Sequence, residues 1–256
     1  MPTTTRQRKF YPSVNQRLMG YIKRLPGLVA YYPLNECNGE VAYNRAPATK
    51  GTLNGTITGA TLKQDGKVGK ACSFDGVDDF ITIADNSSLD FGTGDFSIIA
   101  MIKPTDSGTV QTIACKIDTG HNTASISGAV GWDLLVRTDQ AGNYVSLRLN
   151  DSTGSLSCTP SSGGDVTNGA WHIVVVTLDR DSATGANIWK DGIKIKTSDF
   201  SARQGTLSNN GPMNLGARRD TTTDFFVGSK QHLALINRVL TDQEITKLTK
   251  IAGLAQ

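Results

Sequence analysis

Hydrophobic residues recur at helical spacing near the two ends of the chain. At the start, Ser13 can cap a helix and Pro26-Gly27 ends the pattern, so a short amphipathic helix is predicted over residues 13–25. Near the other end, Thr241 and Glu244 form a capping-box pattern that predicts a second short helix. The apolar positions are Val14, Leu18, Tyr21, Ile22 and Leu25 in the first helix and Ile245, Leu248 and Ile251 in the second.

Between these helices the pattern is that of β-strands. Short runs of aromatic and β-branched residues alternate with turns rich in Gly, Asn, Asp and Ser, which is typical of an antiparallel sandwich and not of a βαβ fold. The Ser- and Gly-rich stretches at 119–128 and 152–169 are predicted to be loops. We therefore expect an all-β fold, with strands within residues 28–34, 51–60, 80–83, 96–103, 109–116, 131–137, 144–150, 171–178, 186–189, 192–196, 213–216 and 231–237.

The chain has 256 residues, of which 38% are hydrophobic, enough for the core of one large β-sandwich. We expect a basic N-terminal arm at residues 1–27 and a sandwich domain at residues 28–256. Membrane insertion is not expected, because no apolar run is long enough, and no signal peptide is recognised at the start. The cysteines are widely spaced without a CxxC pair, which favours buried free thiols at Cys37, Cys72, Cys115 and Cys158.

Positive charge is concentrated in the N-terminal arm. Residues 1–27 hold six of the 26 basic residues and none of the 23 acidic ones, so this arm carries +6 and the remainder −3. Such a distribution predicts that the arm contacts an anionic surface, and a solvated terminus is the alternative. The residues expected to dock on a partner are Arg6, Arg8, Lys9, Arg17, Leu18, Tyr21, Ile22, Lys23 and Arg24.

An acidic turn precedes one of the predicted strands. In the segment Phe74–Ile83, Gly76 permits a tight bend and three carboxylates, Asp75, Asp78 and Asp79, surround it. These side chains can accept hydrogen bonds from backbone NH groups, or they can bind a calcium ion, which prefers oxygen ligands. The sequence leaves both interpretations open.

Six segments that occur in a fixed order resemble a known superfamily. They are LVAYYPLNE (28–36), GKVGKACSFDGVDDFITI (66–83), GDFSIIAMIKP (94–104), WHIVVVTLDRD (171–181), NIWKDGIKI (187–195) and LALINRVLTDQEI (233–245). Together they resemble the concanavalin A-like lectin/glucanase superfamily in its laminin-G-like (LamG) branch. The resemblance implies a jelly-roll sandwich of two curved antiparallel sheets, with Trp171 and Trp189 in or near the core.

The resemblance also implies candidate binding residues. Many relatives bind calcium at one rim of the sandwich, where Asp78 and Asp79 would supply oxygens. Acids are often found before the penultimate strand, but here the matching residues are Lys230-Gln231-His232, so only Gln231 would offer a further oxygen. We expect no cofactor, with calcium as the alternative. The candidate aromatic platforms for a glycan are Trp132, Tyr144, Phe225 and Phe226.

The residues argue against catalysis. Glucanases of this fold use paired glutamates on one strand, because retaining hydrolysis needs two carboxyl groups about 5 Å apart. The glutamates here are Glu36, Glu40 and Glu244, and none of them forms such a pair in the sequence. The three histidines are scattered and no nucleophile elbow accompanies them. We therefore expect that the protein is not an enzyme.

A basic arm on a lectin-like sandwich predicts a bacteriophage-type structural protein of the virion. It would decorate a capsid or form part of a fibre or tail, be made in the host cytoplasm, and contact other virion proteins through its arm. The alternative is a carbohydrate-binding module, calcium-dependent or not, that is extracellular or at a cell surface and binds a glycan there. Nucleic-acid binding by the sandwich is not expected, and the oligomeric state stays open.

Overall fold

A computed structural model describes residues 12–36, 38–118, 129–139, 142–218 and 221–255. The described chain forms two antiparallel β-sheets that face each other, with a short helix near each end, so the predicted all-β sandwich is confirmed. The helices are α1 (Val14–Ile22) and α2 (Asp242–Ala252). No helix among the described residues is long and apolar enough to cross a membrane.

The first sheet contains eight of the described strands. They are β1 (Leu28–Tyr32), β4 (Thr61–Asp65), β5 (Lys70–Asp75), β7 (Phe96–Pro104), β12 (His172–Leu178), β13 (Ala186–Lys190), β14 (Ile193–Ser198) and β16 (Val227–Ile236). Their order is β14-β13-β12-β7-β16-β5-β4, and β1 also pairs with β16.

The second sheet also contains eight described strands. They are β2 (Val41–Ala42), β3 (Gly55–Thr58), β6 (Phe80–Ile83), β8 (Val110–Ile117), β9 (Gly131–Arg137), β10 (Tyr144–Asp151), β11 (Gly154–Cys158) and β15 (Met213–Leu215), in the order β11-β10-β9-β8-β15-β6-β3-β2. The prediction that 152–169 is entirely loop was wrong, because residues 154–158 pair with β10. The predicted loop at 119–128 lies outside the described residues.

One apolar core fills the space between the two sheets. Alternate residues of each strand point into it, as the two-residue period of a strand requires. On β9, for example, Trp132, Leu134 and Val136 are buried in this core. Cys72, Cys115 and Cys158 are buried free thiols, as expected, and Cys37 lies outside the described residues.

A second apolar cluster lies on the other face of the first sheet, beneath the two helices. Leu18, Ile22 and Leu25 pack there with Leu248 of α2 and with residues of the sheet such as Tyr31. The helix α1 was predicted over 13–25, and its observed capping box joins Ser13 and Gln16. Leu18, Ile22 and Leu25 therefore place part of the predicted N-terminal arm in an apolar cluster with the sheet.

The long strand β16 is irregular in its middle, so that it pairs with β5 in its first half and with β1 in its second half, in addition to β7. Residues 227–230 pair with β5, and residues 233–236 pair with β1. At the irregularity, His232 has a φ of 47° and its NH donates to the Pro33 carbonyl at 3.1 Å. Its Nδ1 lies 2.6 Å from the hydroxyl of Tyr31, and burial lowers the pKa of the imidazole to about 3. His232 is therefore a neutral, structural residue.

Candidate functional site

The acidic turn at 75–79 is held by its own hydrogen bonds. The NH of Asp75 donates to Asp79 Oδ2 at 2.8 Å, and the NH of Val77 donates to Asp75 Oδ1 at 2.8 Å. Gly76 has a φ of 83°, and a Cβ on it would collide with Val227 of the neighbouring strand. The turn therefore requires glycine, and two of its carboxylates stabilise the backbone.

These carboxylates lie close together but offer an incomplete metal site. One ligand oxygen from each of Asp75, Asp78 and Asp79 lies within 4.8 Å of the others. Asp79 is buried, and burial together with the charges of the other two raises the pKa of its carboxyl. Its second oxygen faces Gly59 so closely that a Cβ there would collide with it. Calcium takes six to eight oxygens, and with one oxygen from each residue these side chains supply three of them.

Gln231 does not join the acidic turn, so its expected role as a metal ligand was wrong. Val227 of β16 pairs with Asp75 of the acidic turn. Gln231 lies four residues further along β16, roughly 13 Å from Val227. The amide is also occupied, because Oε1 accepts from the NH of Lys67 at 2.9 Å and Nε2 donates to the carbonyl of Lys70 at 2.6 Å. Gln231 therefore fixes the loop that leads into β5.

Lys230 beside it is buried between the sheets. Its Nζ donates to the carbonyls of Thr112 and Ile113, at 3.0 and 2.9 Å, and lies 4.0 Å from the centre of the Phe226 ring. Burial holds the pKa of this amine well below its usual value. Lys230 thus links the first sheet to β8 of the second sheet and is unavailable to an external ligand.

Two of the four candidate glycan platforms are core residues, so this prediction was wrong for them. Trp132 is 1% exposed and stands between the sheets near Phe91 and Phe96. Phe226 is fully buried and meets Phe74 edge to face, with ring centres 6.0 Å apart. Both face inwards because each occupies a core position of its segment. Tyr144 and Phe225 are only partly buried, so they remain candidates.

Tyr144 lies on the outward face of the second sheet, opposite Arg137 on the neighbouring strand. Its hydroxyl donates to the Ser161 carbonyl at 3.0 Å, which fixes the ring against the strand edge. Arg137 donates to both oxygens of Asp139, each at 2.8 Å, and this contact lowers the pKa of the Asp139 carboxyl. An aromatic ring and a paired guanidinium are thus neighbours on one face.

The same face continues with a second ion pair. Arg148 of β10 donates to both oxygens of Asp133 on β9, at 2.8 and 2.5 Å, and Asp133 is fully buried. Ser146, between Tyr144 and Arg148 on this face, lies 2.6 Å from the Thr159 hydroxyl. Each cation named here has a carboxylate partner, so this face presents hydrogen-bonding groups without a large net charge.

Arg137, Asp133 and Arg148 were not among the site residues predicted from the sequence. The signal is present in the alternation of β9 and β10, where every second residue is apolar and faces the core. The residues between them must share the outward face. We define this side of the sheet by Asp133, Arg137, Tyr144, Ser146 and Arg148, and call it the β9–β10 face; Arg137, Tyr144 and Arg148 are partly exposed on it, whereas Asp133 and Ser146 are buried.

The expected partner-docking residues divide into buried and exposed groups. Leu18 and Ile22 lie on the side of α1 that packs on the body, and both are fully buried. Their expected contact with a partner was therefore wrong. Tyr21 is partly buried and its hydroxyl donates to the Glu244 carbonyl at 3.2 Å. Arg17 and Arg24 are exposed and Lys23 is partly exposed. Arg6, Arg8 and Lys9 lie outside the described residues.

The three glutamates differ in their surroundings. Glu36 is buried and its Oε1 accepts from the NH of Tyr43 at 3.1 Å, while Glu40 is exposed. Glu244 accepts from the NH of Thr241 and from Arg238 at the start of α2. His172, the other described histidine besides His232, lies 2.6 Å from Asp191 in the hairpin turn. Glu36, Glu244 and His172 therefore each have a structural contact.

Solved structures with a similar fold are domains that bind ligands. A binding domain of Paraclostridial mosquitocidal protein 1 superposes with a TM-score of 0.64 and 17% identity, over 89% of this chain and 52% of that one. The botulinum neurotoxin serotype D domain solved with N-acetylneuraminic acid gives 0.65 and 14%, over 91% and 52%. This chain therefore spans about half the length of the toxin domains that it matches.

A third similar structure is nearly the same size as this chain. Domain 4 of a GH43 extracellular arabinanase from Geobacillus stearothermophilus, solved with arabinotriose, has a TM-score of 0.62 and 18% identity, over 87% of this chain and 98% of that one. At these identities the likeness establishes the fold. No curated protein matches the sequence.

A comparison with sequence families gives a direct assignment. Residues 75–246, which are more than half of the chain, match the laminin G model described as the concanavalin A-like lectin/glucanases superfamily. The match includes the acidic turn, the β9–β10 face and the start of α2. The chain belongs to the concanavalin A-like lectin/glucanase superfamily.

Proposed function

We propose that this protein is a non-catalytic, lectin-like module that binds a glycan on the β9–β10 face. The observation that carries the proposal is the pairing of a partly exposed Tyr144 ring with Arg137 across neighbouring strands. A sugar ring needs an apolar surface for its CH groups and fixed polar groups for its hydroxyls. Tyr144 supplies the first, and the partly exposed Arg137–Asp139 pair supplies the second, together with the Arg148 guanidinium that the buried Asp133 holds in place.

The other faces of the molecule fit this role less well. The outer face of the first sheet is covered by α1 and α2, which bury its apolar residues. Trp132 and Phe226 are in the core. Two similar structures hold N-acetylneuraminic acid and arabinotriose, and this supports a carbohydrate ligand for the present chain. The paired charges favour a ligand recognised mainly by its hydroxyl groups.

A glycan array tests the proposal. We expect saturable binding of a restricted set of glycans, equal in Ca²⁺ and in EDTA, because the acidic cluster found among the described residues, at 75–79, is not part of this face. Tyr144→Ala and Arg137→Ala should each weaken binding, whereas Arg17→Ala, on the helix side, should not. An array without specific binding, tested on folded protein, would refute the proposal.

A second role is favoured by the distribution of charge. We propose that the module is a structural component of a virion, as capsid decoration or in a fibre or tail, and that its basic N-terminal segment contacts the assembly. The apolar side of α1 is packed on the body, so Arg17 and Arg24 are presented outwards on a rigid support. This side lies opposite the β9–β10 face, so one module can be anchored and bind a glycan at the same time.

Particles purified on a density gradient, from a culture that expresses the gene, test this role. We expect the protein in the particle fraction in a fixed ratio to the major structural proteins. Removal of residues 1–11 is the appropriate truncation, because removing residues 1–27 would also delete Leu18, Ile22 and Leu25 from an apolar cluster. Unchanged incorporation of both the truncated chain and an Arg17→Glu, Arg24→Glu variant would contradict an anchoring role for this side.

A further inference from the structure

The seam between α1 and α2 forms a furrow on the helix side of the molecule. It consists of three adjoining depressions, each about 550 Å³ in volume, and Arg17 and Ile251 line all three. Its floor is apolar, because the buried Leu25 and the partly buried Tyr21 and Ile251 line it. We refer to this surface as the α1–α2 furrow.

The rim of the α1–α2 furrow is strongly basic. Arg17 and Arg24 come from α1 and its end, Lys247 and Lys250 from α2, and all four side chains are exposed. The acids nearby are Asp242, which is exposed, and Glu244. Glu244 is already engaged by both terminal nitrogens of Arg238, at 2.9 and 2.7 Å. The furrow therefore has an excess of positive charge that the described part of the chain does not balance.

We propose that the α1–α2 furrow binds an extended acidic segment of a partner protein, one that carries both carboxylates and apolar side chains. The apolar floor suits the apolar side chains and the basic rim suits the carboxylates. This inference rests on the proposed assembly role, and it specifies the chemistry of the partner protein that the helix side would contact. Lys247 and Lys250 belong to the surface, although the charge pattern of the N-terminal arm alone did not point to them.

Other occupants fit the furrow less well. Pro12 lines the furrow, and residues 1–11 precede it in the sequence. They contain Arg6, Arg8 and Lys9 and no acid, so they would add positive charge to the furrow. A nucleic acid needs a longer basic track and free aromatic faces. Here the Tyr21 ring is covered by the Lys247 ammonium at 5.1 Å, and residues 28–256 carry a net charge of −3.

The furrow is held in a fixed shape before any partner arrives. The Arg238 Nε donates to the Pro26 carbonyl at 3.0 Å, and the Tyr21 hydroxyl donates to the Glu244 carbonyl. Gly20 lies on the furrow wall, and a Cβ there would lie 3.6 Å from the Arg24 guanidinium. A larger side chain at this position would enter the furrow without removing any charge.

Fluorescence anisotropy with two short labelled peptides tests the proposal on the full chain. One peptide is rich in glutamate and leucine, and the other replaces each glutamate with lysine. We expect saturable binding of the glutamate peptide, no binding of the lysine peptide, and marked weakening as salt is raised from about 50 to about 500 mM. Failure of the glutamate peptide to bind, or stronger binding of a single-stranded oligonucleotide, would overturn the proposal.

Variants locate the peptide on the molecule. Arg17→Glu with Lys250→Glu should weaken peptide binding at least about tenfold, and Gly20→Leu should weaken it with all charges retained. Lys50→Glu, at an exposed lysine in the loop before β3 that does not line the furrow, is the control and should bind normally. Equal binding by all three variants would place the peptide elsewhere and refute the assignment.

The peptide result and the assembly role can fail separately. If the protein is absent from purified particles but binds the glutamate peptide through the furrow, the virion role fails and the furrow stands. If the protein is in the particles but the furrow variants bind the peptide and assemble normally, the furrow assignment fails and the virion role stands.

Discussion

The guanidinium of Arg238 and the carboxylate of Glu244 form two hydrogen bonds, of 2.9 and 2.7 Å, at the first turn of α2. The same two residues reach the N-terminal part of the chain, because Arg238 donates to the Pro26 carbonyl and the backbone carbonyl of Glu244 accepts from Tyr21. This one ion pair therefore ties α1, α2 and the end of β16 together.

The first prediction is that breaking this pair loosens the helix layer. Glu244→Gln removes the charge and the second strong acceptor, and Glu244 also caps α2 through the NH of Thr241. We expect a loss of about 1 kcal/mol in the free energy of unfolding, as for a partly exposed ion pair that also serves a cap. Urea unfolding measures it, with Glu40→Gln, at an exposed glutamate, as the control that should change little.

The second prediction concerns acid. Arg238 and the capping contacts lower the pKa of Glu244 to about 2, below the ordinary glutamate value of about 4.3. The contribution of Glu244 is therefore fully present above about pH 4.3 and is lost as pH falls through about 2. The difference in urea midpoint between wild type and Glu244→Gln should shrink as pH is lowered from about 5 to about 2. A constant difference would contradict this explanation.

The third prediction is that α1 is part of the folded body. Leu18 is fully buried against α2 and the first sheet. Leu18→Ala should cost about 2–5 kcal/mol in the free energy of unfolding, as for other buried leucines. Arg17→Ala, one residue away and exposed, should cost little. Two variants of equal stability would mean that α1 is not packed on the sandwich.

The fourth prediction separates a structural acidic turn from a calcium site. Asp79 is buried and accepts from the NH of Asp75, whereas Asp78 is exposed. Asp79→Ala removes the acceptor of the Asp75 NH and should destabilise the protein by about 1–3 kcal/mol, equally in Ca²⁺ and in EDTA, whereas Asp78→Ala should have little effect. A melting temperature that rises with Ca²⁺ in wild type, and not in Asp78→Ala, would establish the calcium site instead.

Sequence patterns predicted the fold better than they predicted the surface. The two-residue alternation and the turn residues specify which segments become strands, and the six ordered segments indicate the family. They do not specify which of two consecutive aromatic residues faces the core, so Phe225 and Phe226 could not be distinguished. In the structure Phe226 packs on Phe74 in the core.

Long-range contacts explain the other differences. Gln231 was a candidate ligand by its position in the chain, but in the fold its amide contacts the loop at residues 67–70. The apolar face of α1 suited either the body or a partner, and the burial of Leu18 shows contact with the body. Arg137 and Arg148 gain their importance from the register of β9 and β10, which is a property of the folded sheet.

The central claim is that the β9–β10 face binds a glycan, and titration of an array-selected glycan into wild type and three variants tests it most directly. Tyr144→Phe keeps the ring and should bind like wild type, whereas Tyr144→Ala should bind at least about tenfold more weakly, because stacking on the ring is lost. Arg17→Ala should bind normally, and thermal unfolding should show that all variants are folded. Unchanged affinity of folded Tyr144→Ala would contradict the claim.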